Sequence, residues 1–195
     1  MKHLIFFLLS ALLISCSEDK HSYSEKKHES TIVQAAAAES SEVIEFTKYP
    51  TVIQMLNESH DFTEEDGSLK LLSKEEKNIH IQVSKLIFDG DQEKIIKEQT
   101  MRDIVYVAFQ AFAQTDINSL TISSVPMKDK GNYINKYKLT LTISRENAKS
   151  ILKEYLNTED FKILFKLEGT IWIPSENFNV LMFKNLNEVF SELKS

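Results

Sequence analysis

Residues 43–195 predict a single α+β domain, a small antiparallel sheet with helices on one face. Three observations carry this. Strict alternation of apolar and polar residues marks strands at Ile79-His80-Ile81-Gln82-Val83 and from Tyr137 to Ser144. Apolar residues at spacings of three and four mark a long helix between them. A further strand before Pro126 is joined to the Tyr137–Ser144 strand by a loop of about ten residues containing Gly131-Asn132, the signature of an antiparallel hairpin.

Taken in order, a short helix is expected over about 50–58, where Pro50 suits a first helical turn and Val52, Ile53, Met55 and Leu56 follow at helical spacing. Residues 59–77 are polar and acidic, with a turn at Gly67. The strand at 79–83 extends through Leu86-Ile87-Phe88 to a turn at Asp89-Gly90-Asp91. The long helix covers about 91–114, with Asp91 as N-cap and Gln92-Glu93 in the first turn, where the helix dipole favours an acid. Its apolar set (Met101, Ile104, Val105, Ala108, Phe109, Phe112, widened by Val107 and Ala111) covers more than one face, so this helix is the centre of the core.

Leu120 and Ile122 then alternate with Thr121 and Ser123. In the next strand Tyr137, Leu139, Leu141 and Ile143 face one way and Lys138, Thr140, Thr142 and Ser144 the other. Ser144 caps a helix of about 145–156 that buries Ala148, Ile151, Leu152 and Tyr155. A short helix at Asp160–Phe165, a strand at Gly169–Ile173 and a last helix at about 176–193 complete the chain. Strand-helix-strand-strand-helix-strand resembles the ferredoxin-like split βαβ arrangement, the finer expectation. It rests on the weak strand at Trp172, a residue whose position between Ile171 and Ile173 reads as core before it reads as a ligand platform.

Composition excludes several chemistries. With 23 Lys+Arg against 29 Asp+Glu, the chain is a poor nucleic-acid binder, because that affinity comes from a cationic surface displacing counterions. Arg102 and Arg145 are the only arginines, so bidentate clamps on phosphate or carboxylate are scarce. The four glycines, Gly67, Gly90, Gly131 and Gly169, are all isolated, which rules out a phosphate-cradling loop. There is no Gly-x-Ser-x-Gly elbow and no His-Glu-x-x-His.

The first sixteen residues carry the most specific signal. A cationic start, Met1-Lys2-His3, leads into an apolar run from Leu4 to Ile14, about a dozen residues where a membrane-spanning helix needs about 20. It ends at Leu13-Ile14-Ser15-Cys16, and Cys16 is the only cysteine. This arrangement resembles a bacterial lipoprotein signal. The resemblance implies that residues 1–15 are removed and that Cys16 is lipidated, which anchors the protein in the cell envelope without spanning a membrane. It also implies that no cysteine is left for a disulfide, a nucleophile or a metal site. Ser17, where an aspartate would retain such a protein at the inner membrane, points to the outer membrane. Residues 16–42, the lipidated Cys and a segment rich in Ser, Glu and Lys, read as a flexible linker with a root-mean-square span of roughly 25–30 Å. The helix ending AFQAFAQTD, the hairpin after it and the stretch LTISRENAKSILKEYLNTEDF, within about 95–161, resemble plasmid-encoded small proteins of unknown function. That resemblance implies a mobile-element origin and no activity.

Four features are candidates for function. The loop MKDKGNYINKYK places Lys128, Lys130, Lys136 and Lys138 around Tyr133 and Tyr137, a basic, tyrosine-bearing hairpin in an acidic chain. Tyrosine joins apolar area to a hydrogen-bonding tip, so this loop suits contact with a protein or an anionic envelope polymer, with Lys128, Lys130, Tyr133, Lys136 and Lys138 as the contact residues. The Thr140/Thr142 face of the adjoining strand is a second open surface if no helix covers it. The acidic run ESHDFTEED at 58–66 offers oxygen ligands to a cation, but its spacing is not that of an EF-hand, and a solvated loop is the simpler reading. His60-Asp61 reads as a candidate half of an acid–base pair, with a serine to supply the nucleophile. The expectation is a non-catalytic binding or assembly module with no cofactor and no metal, of exclusion or immunity type if the mobile-element origin holds. The alternative is a cell-envelope hydrolase working through carboxylates or His60.

Overall fold

A computed structural model describes residues 44–74 and 78–194. The signal, Cys16 and the linker lie outside the described residues. Over those residues the architecture is α+β: a four-stranded mixed sheet, a separate two-stranded sheet and five α-helices. The four strands β1 (Leu69–Lys74), β2 (Ile79–Val83), β3 (Ser119–Ser124) and β4 (Leu139–Ser144) lie in sequence order across the large sheet. The pairings β1–β2 and β3–β4 are antiparallel. The central pairing, β2 with β3, is parallel, so the sheet is mixed where a wholly antiparallel one was expected. The cause is the long helix α2 (Glu93–Gln114), which carries the chain back across the sheet before β3 begins.

The strand order also departs from the split arrangement. There a further strand separates the two strands joined by the first helix; here β2 and β3 are direct neighbours. The strand at Trp172 belongs to a hairpin of its own, β5 (Phe165–Glu168) with β6 (Ile171–Pro174). Both β1 and β5 escape the sequence pattern. In β1 the adjacent pair Leu71-Leu72 breaks the alternation at a bulge, and only Leu69 is buried.

The core forms between the large sheet and the helices. Ile79, Ile81 and Val83 of β2, Leu120 and Ile122 of β3 and Ile143 of β4 point to the same side. On that side α2 buries Ile104, Val105, Ala108, Phe109 and Phe112. The short helix α1 (Val52–Ser59), capped by the Thr51 hydroxyl accepting from the Gln54 amide, adds Val52, Met55 and Leu56. Helix α3 (Arg145–Leu156), capped by Ser144 as expected, adds Ala148, Ile151 and Leu152. The expected N-cap of α2 is displaced: Gln92 occupies that position without a side-chain bond, while the Asp91 carboxylate accepts from the Phe88 amide (2.7 Å) and closes the preceding turn.

At the C-terminal end of α2, the Arg145 guanidinium donates to the carbonyls of Phe112 (2.7 Å), Thr115 (2.7 Å) and Ile117 (2.9 Å). A cation there satisfies carbonyl groups that the helix end leaves without intrahelical partners. One of two arginines in the chain thus serves the fold.

The expected last helix is divided. Helix α4 (Asn177–Asn179) runs into a π-helical turn, Val180–Lys184, and α5 (Leu186–Glu192) follows Asn185. Both the amide nitrogen (3.1 Å) and the side-chain amide (2.9 Å) of Asn185 donate to the Val180 carbonyl. The wider turn brings Leu181 and Leu186, five residues apart, onto one buried side; in a regular α-helix they would diverge.

Candidate functional site

The other face of the large sheet has a different chemistry. The register aligns Ser73, His80, Thr121 and Thr142 in one row across the four strands and Lys70, Gln82, Ser123 and Thr140 in the next. All eight are polar, and none of the four strands contains an acidic residue. Hydroxyl groups pair across β3 and β4, Thr121 with Thr142 and Ser123 with Thr140, both at 2.8 Å between oxygens. The Asn78 side-chain amide donates to Thr121 (3.0 Å), and His80 Nε2 lies 3.0 Å from the Ser123 hydroxyl. Lys70, Thr140 and Thr142 are exposed, His80 and Gln82 are half-buried and Thr121 and Ser123 are buried, and among the described residues no buried apolar side chain from the four strands lies on this face. The helix-capped core is all on the opposite side.

Lys138, one residue before β4, continues this face and is exposed. Partial burial, reinforced by the charge of Lys138, holds the His80 imidazole below its ordinary pKa. Among the described residues, neither Lys70 nor Lys138 takes part in an ion pair.

The basic hairpin does not project as one cluster. Lys128 pairs with Asp89 (2.6 Å), holding that exposed carboxylate below its usual pKa. Lys130 donates to the Glu65 carbonyl, and the Tyr133 hydroxyl donates to the Gly67 carbonyl (2.7 Å). The Lys70 ammonium stands 4.0 Å from the centre of the Tyr133 ring. Three of the five expected contact residues therefore pin the loop to the chain itself. The turn at Gly67, at φ +79°, receives Lys130 and Tyr133, and a Cβ there would press on the Lys130 side chain and the Tyr133 hydroxyl at 3.3 and 3.4 Å. Lys136 is exposed beside buried Tyr137, 4.4 Å from its ring centre, so of the five only Lys136 and Lys138 present unpaired charge outward.

The acidic run folds back on itself. Glu64 and Asn57 bond each other, and Asp66 Oδ1 accepts from the Ser68 amide (2.8 Å). The Ser68 hydroxyl first, then the Ser68 amide and Thr63, lower the Asp66 pKa. Among the described residues, no three His, Cys, Asp or Glu side chains gather at a metal-sized site. His60, in a left-handed conformation at φ 60°, ends α1, and its Nδ1 lies 2.8 Å from the Glu58 carbonyl. Asp61 turns to α2 instead, accepting from the Tyr106 hydroxyl (2.9 Å).

Asp61 also borders an open cleft of about 490 Å³, with Asp66, Ser68, Ser84, Lys85, Leu86, Gln99 and Met127. The Lys85 ammonium donates to the Asp61 carbonyl (2.9 Å) and lies 4.2 Å from the centre of the Phe62 ring. Behind Gln99, the Asp103 carboxylate accepts from Gln99 (2.7 Å) and from Ser124 on β3 (3.0 Å). Burial pushes its pKa up to about 6, against the opposing pull of those two bonds and of Lys85 and Arg102. Sequence reasoning passed over Asp103 and Lys85. The available signal was position 103 itself: an acid flanked by Arg102 and Ile104, in a helix whose apolar stripe leaves little exposed surface.

Comparisons with protein-family models, curated proteins and solved structures find no match to this chain. Among the described residues, no helix is long and apolar enough to cross a membrane.

Proposed function

We propose that this protein is an envelope lipoprotein, anchored through Cys16, whose folded domain is a non-catalytic binding or assembly module. The observation that supports the reading is the outer face of the large sheet, which among the described residues carries no buried apolar side chain from the four strands. A sheet with one face free of apolar cover presents two rows of polar groups in fixed register, and Lys70 and Lys138 give that face positive charge in a chain of net charge −6. Surfaces of this kind recognise partners through hydrogen bonds and charge rather than through buried area. Lys136 and Lys138 extend the surface from the hairpin, and the exclusion or immunity role implied by a mobile-element origin is one setting for it. The linker of residues 16–42 would give the module reach from the outer membrane.

The test is cross-linking in cells with photoreactive groups at positions 140, 142 and 138. One dominant adduct, lost on changing Lys70 and Lys138 to alanine, is expected. A spread of minor adducts unaffected by those changes would overturn the binding-module reading. Anchoring is tested apart from it: Cys16→Ser should abolish acyl labelling and membrane fractionation.

A second reading, a hydrolase, is favoured by one observation, the buried Asp103 carboxyl titrating near pH 6 behind a cleft bordered by Asp61. Hydrolysis of an envelope polymer by the wild type, abolished in both Asp61→Asn and Asp103→Asn with the fold intact, would decide for it.

A further inference from the structure

We infer that the polar outer face of the sheet docks a linear acidic glycan, laid against Thr140, Thr142, His80 and Gln82, with the buried Thr121 and Ser123 hydroxyls holding those groups in place from β3. The inference rests on the binding-module reading and supplies the chemistry of its partner.

Charge sets the sign. The outer face carries Lys70, none of the four strands contains an acidic residue although the chain has 29 Asp+Glu, and Lys138 adds a second ammonium outside any ion pair at the edge of the same face. A polyanion is therefore the complementary occupant. The apolar content of the face then selects among polyanions. A protein partner of useful affinity needs a desolvated apolar or aromatic centre, and the aromatic ring beside this face, Tyr133, is already covered by the Lys70 ammonium and tied through its hydroxyl to Gly67. Insertion into an anionic lipid surface needs apolar side chains at the contact, and these are missing.

What the face does offer is hydroxyl, amide and imidazole groups held in position by the sheet. Rows two residues apart are separated by roughly 6–7 Å along the strands, and the four strands span roughly 14 Å. That area accommodates a few sugar units lying flat. The exposed Thr140 and Thr142 hydroxyls are each oriented by a 2.8 Å bond to a neighbour on β3, so little side-chain entropy remains to be lost on binding. Sugar hydroxyls can both donate to and accept from such groups, while the glycan's carboxylates meet Lys70 and Lys138.

The experiment uses the full-length protein in nonionic detergent. It is titrated with polygalacturonate, with neutral dextran, with polyglutamate and with vesicles containing phosphatidylglycerol. Polygalacturonate is expected to bind at low salt, weakening as salt rises and falling about tenfold, a loss of about 1.4 kcal/mol, in the Lys70→Ala/Lys138→Ala variant. Thr140→Val/Thr142→Val, which keeps shape and charge, should weaken polygalacturonate binding as well, with an unchanged unfolding midpoint verifying the fold. Dextran and polyglutamate should not bind comparably. Failure to bind polygalacturonate, equal binding of polyglutamate, or loss of vesicle binding in the lysine variant each overturns the glycan assignment. If it falls while the in-cell cross-link still yields one protein adduct, the module reading stands without the glycan; if no adduct appears either, both fall.

Discussion

The two faces of the large sheet are made by alternate residues of the same strands, yet they are governed by opposite rules. On the inner face Ile81, Leu120, Ile122 and Ile143 are fully buried against α2, and each is held by surface removed from water. On the outer face His80, Thr121, Ser123, Thr140 and Thr142 satisfy one another by hydrogen bonds. Such bonds replace bonds to water and are worth only about 0.5–1.5 kcal/mol each. The inner face therefore holds the fold together, and the outer face is free to change without unfolding it.

That contrast can be broken most forcefully from inside. Phe109 is fully buried on α2, its ring centre 6.1 Å from that of Phe161, and Phe109→Ala should cost about 3–5 kcal/mol, read as a lowered denaturation midpoint. A loss below about 1 kcal/mol would mean that the packing around α2 is not the main support.

Next in size is Asp103, a carboxylate buried on the inner side between α2 and β3. Its folded-state pKa, about 6, lies above the ordinary 3.8, so folding favours the protonated form. Stability from this group is complete below about pH 4 and is lost as pH rises through 6, a change of roughly 3 kcal/mol at most. Asp103→Asn should be more stable than wild type at pH 7.5 and should flatten the pH dependence between 4 and 7. An Asn variant less stable at pH 7.5 would show that the charged form is the one the fold prefers.

Arg145 gives a smaller effect from the rim of the helix layer. Arg145→Gln keeps some donors but leaves two or more carbonyls at the end of α2 without partners, and should cost roughly 2 kcal/mol. Hydrogen exchange should quicken first in the last turn of α2. The smallest effect belongs to the outer face: Thr142→Ala should change the midpoint by less than about 1 kcal/mol. If it destabilises as much as Phe109→Ala, the outer face is a structural element and not a free surface.

The legible parts of the fold were those where local pattern and tertiary environment agree. The 79–83 strand, α1 and α3 with its Ser144 cap could be read from spacing because each has one clearly buried side, and α2 because its apolar residues run round more than one face. The strand expected from Tyr137 to Ser144 begins only at Leu139, since Tyr137 closes a 3-10 turn, Asn135–Tyr137. β1 could not, because five of its six residues are exposed and a bulge interrupts it. The C-terminal helix could not be divided in advance: its apolar residues fit a single helix well enough, and only packing against α2 selected the π-helical turn. For the candidate site, the open Thr140/Thr142 face was legible from alternation. The pinning of Lys128, Lys130 and Tyr133 was not, since their partners at Asp89, Glu65 and Gly67 lie 39 to 66 residues away.

By itself, then, the sequence determined which residues seek burial, where most regular elements form, and that the chain is short of arginine, glycine and cysteine chemistry. These follow from side-chain type and from periods of two and of three to four residues, which are local properties. Tertiary structure alone decided that β2 and β3 run parallel, that Asp103 is buried beside Ser124, and that the basic loop spends three of its contacts on its own chain. Each of these depends on which distant segments meet, and the free energy of such meetings is shared between partners that no local window contains.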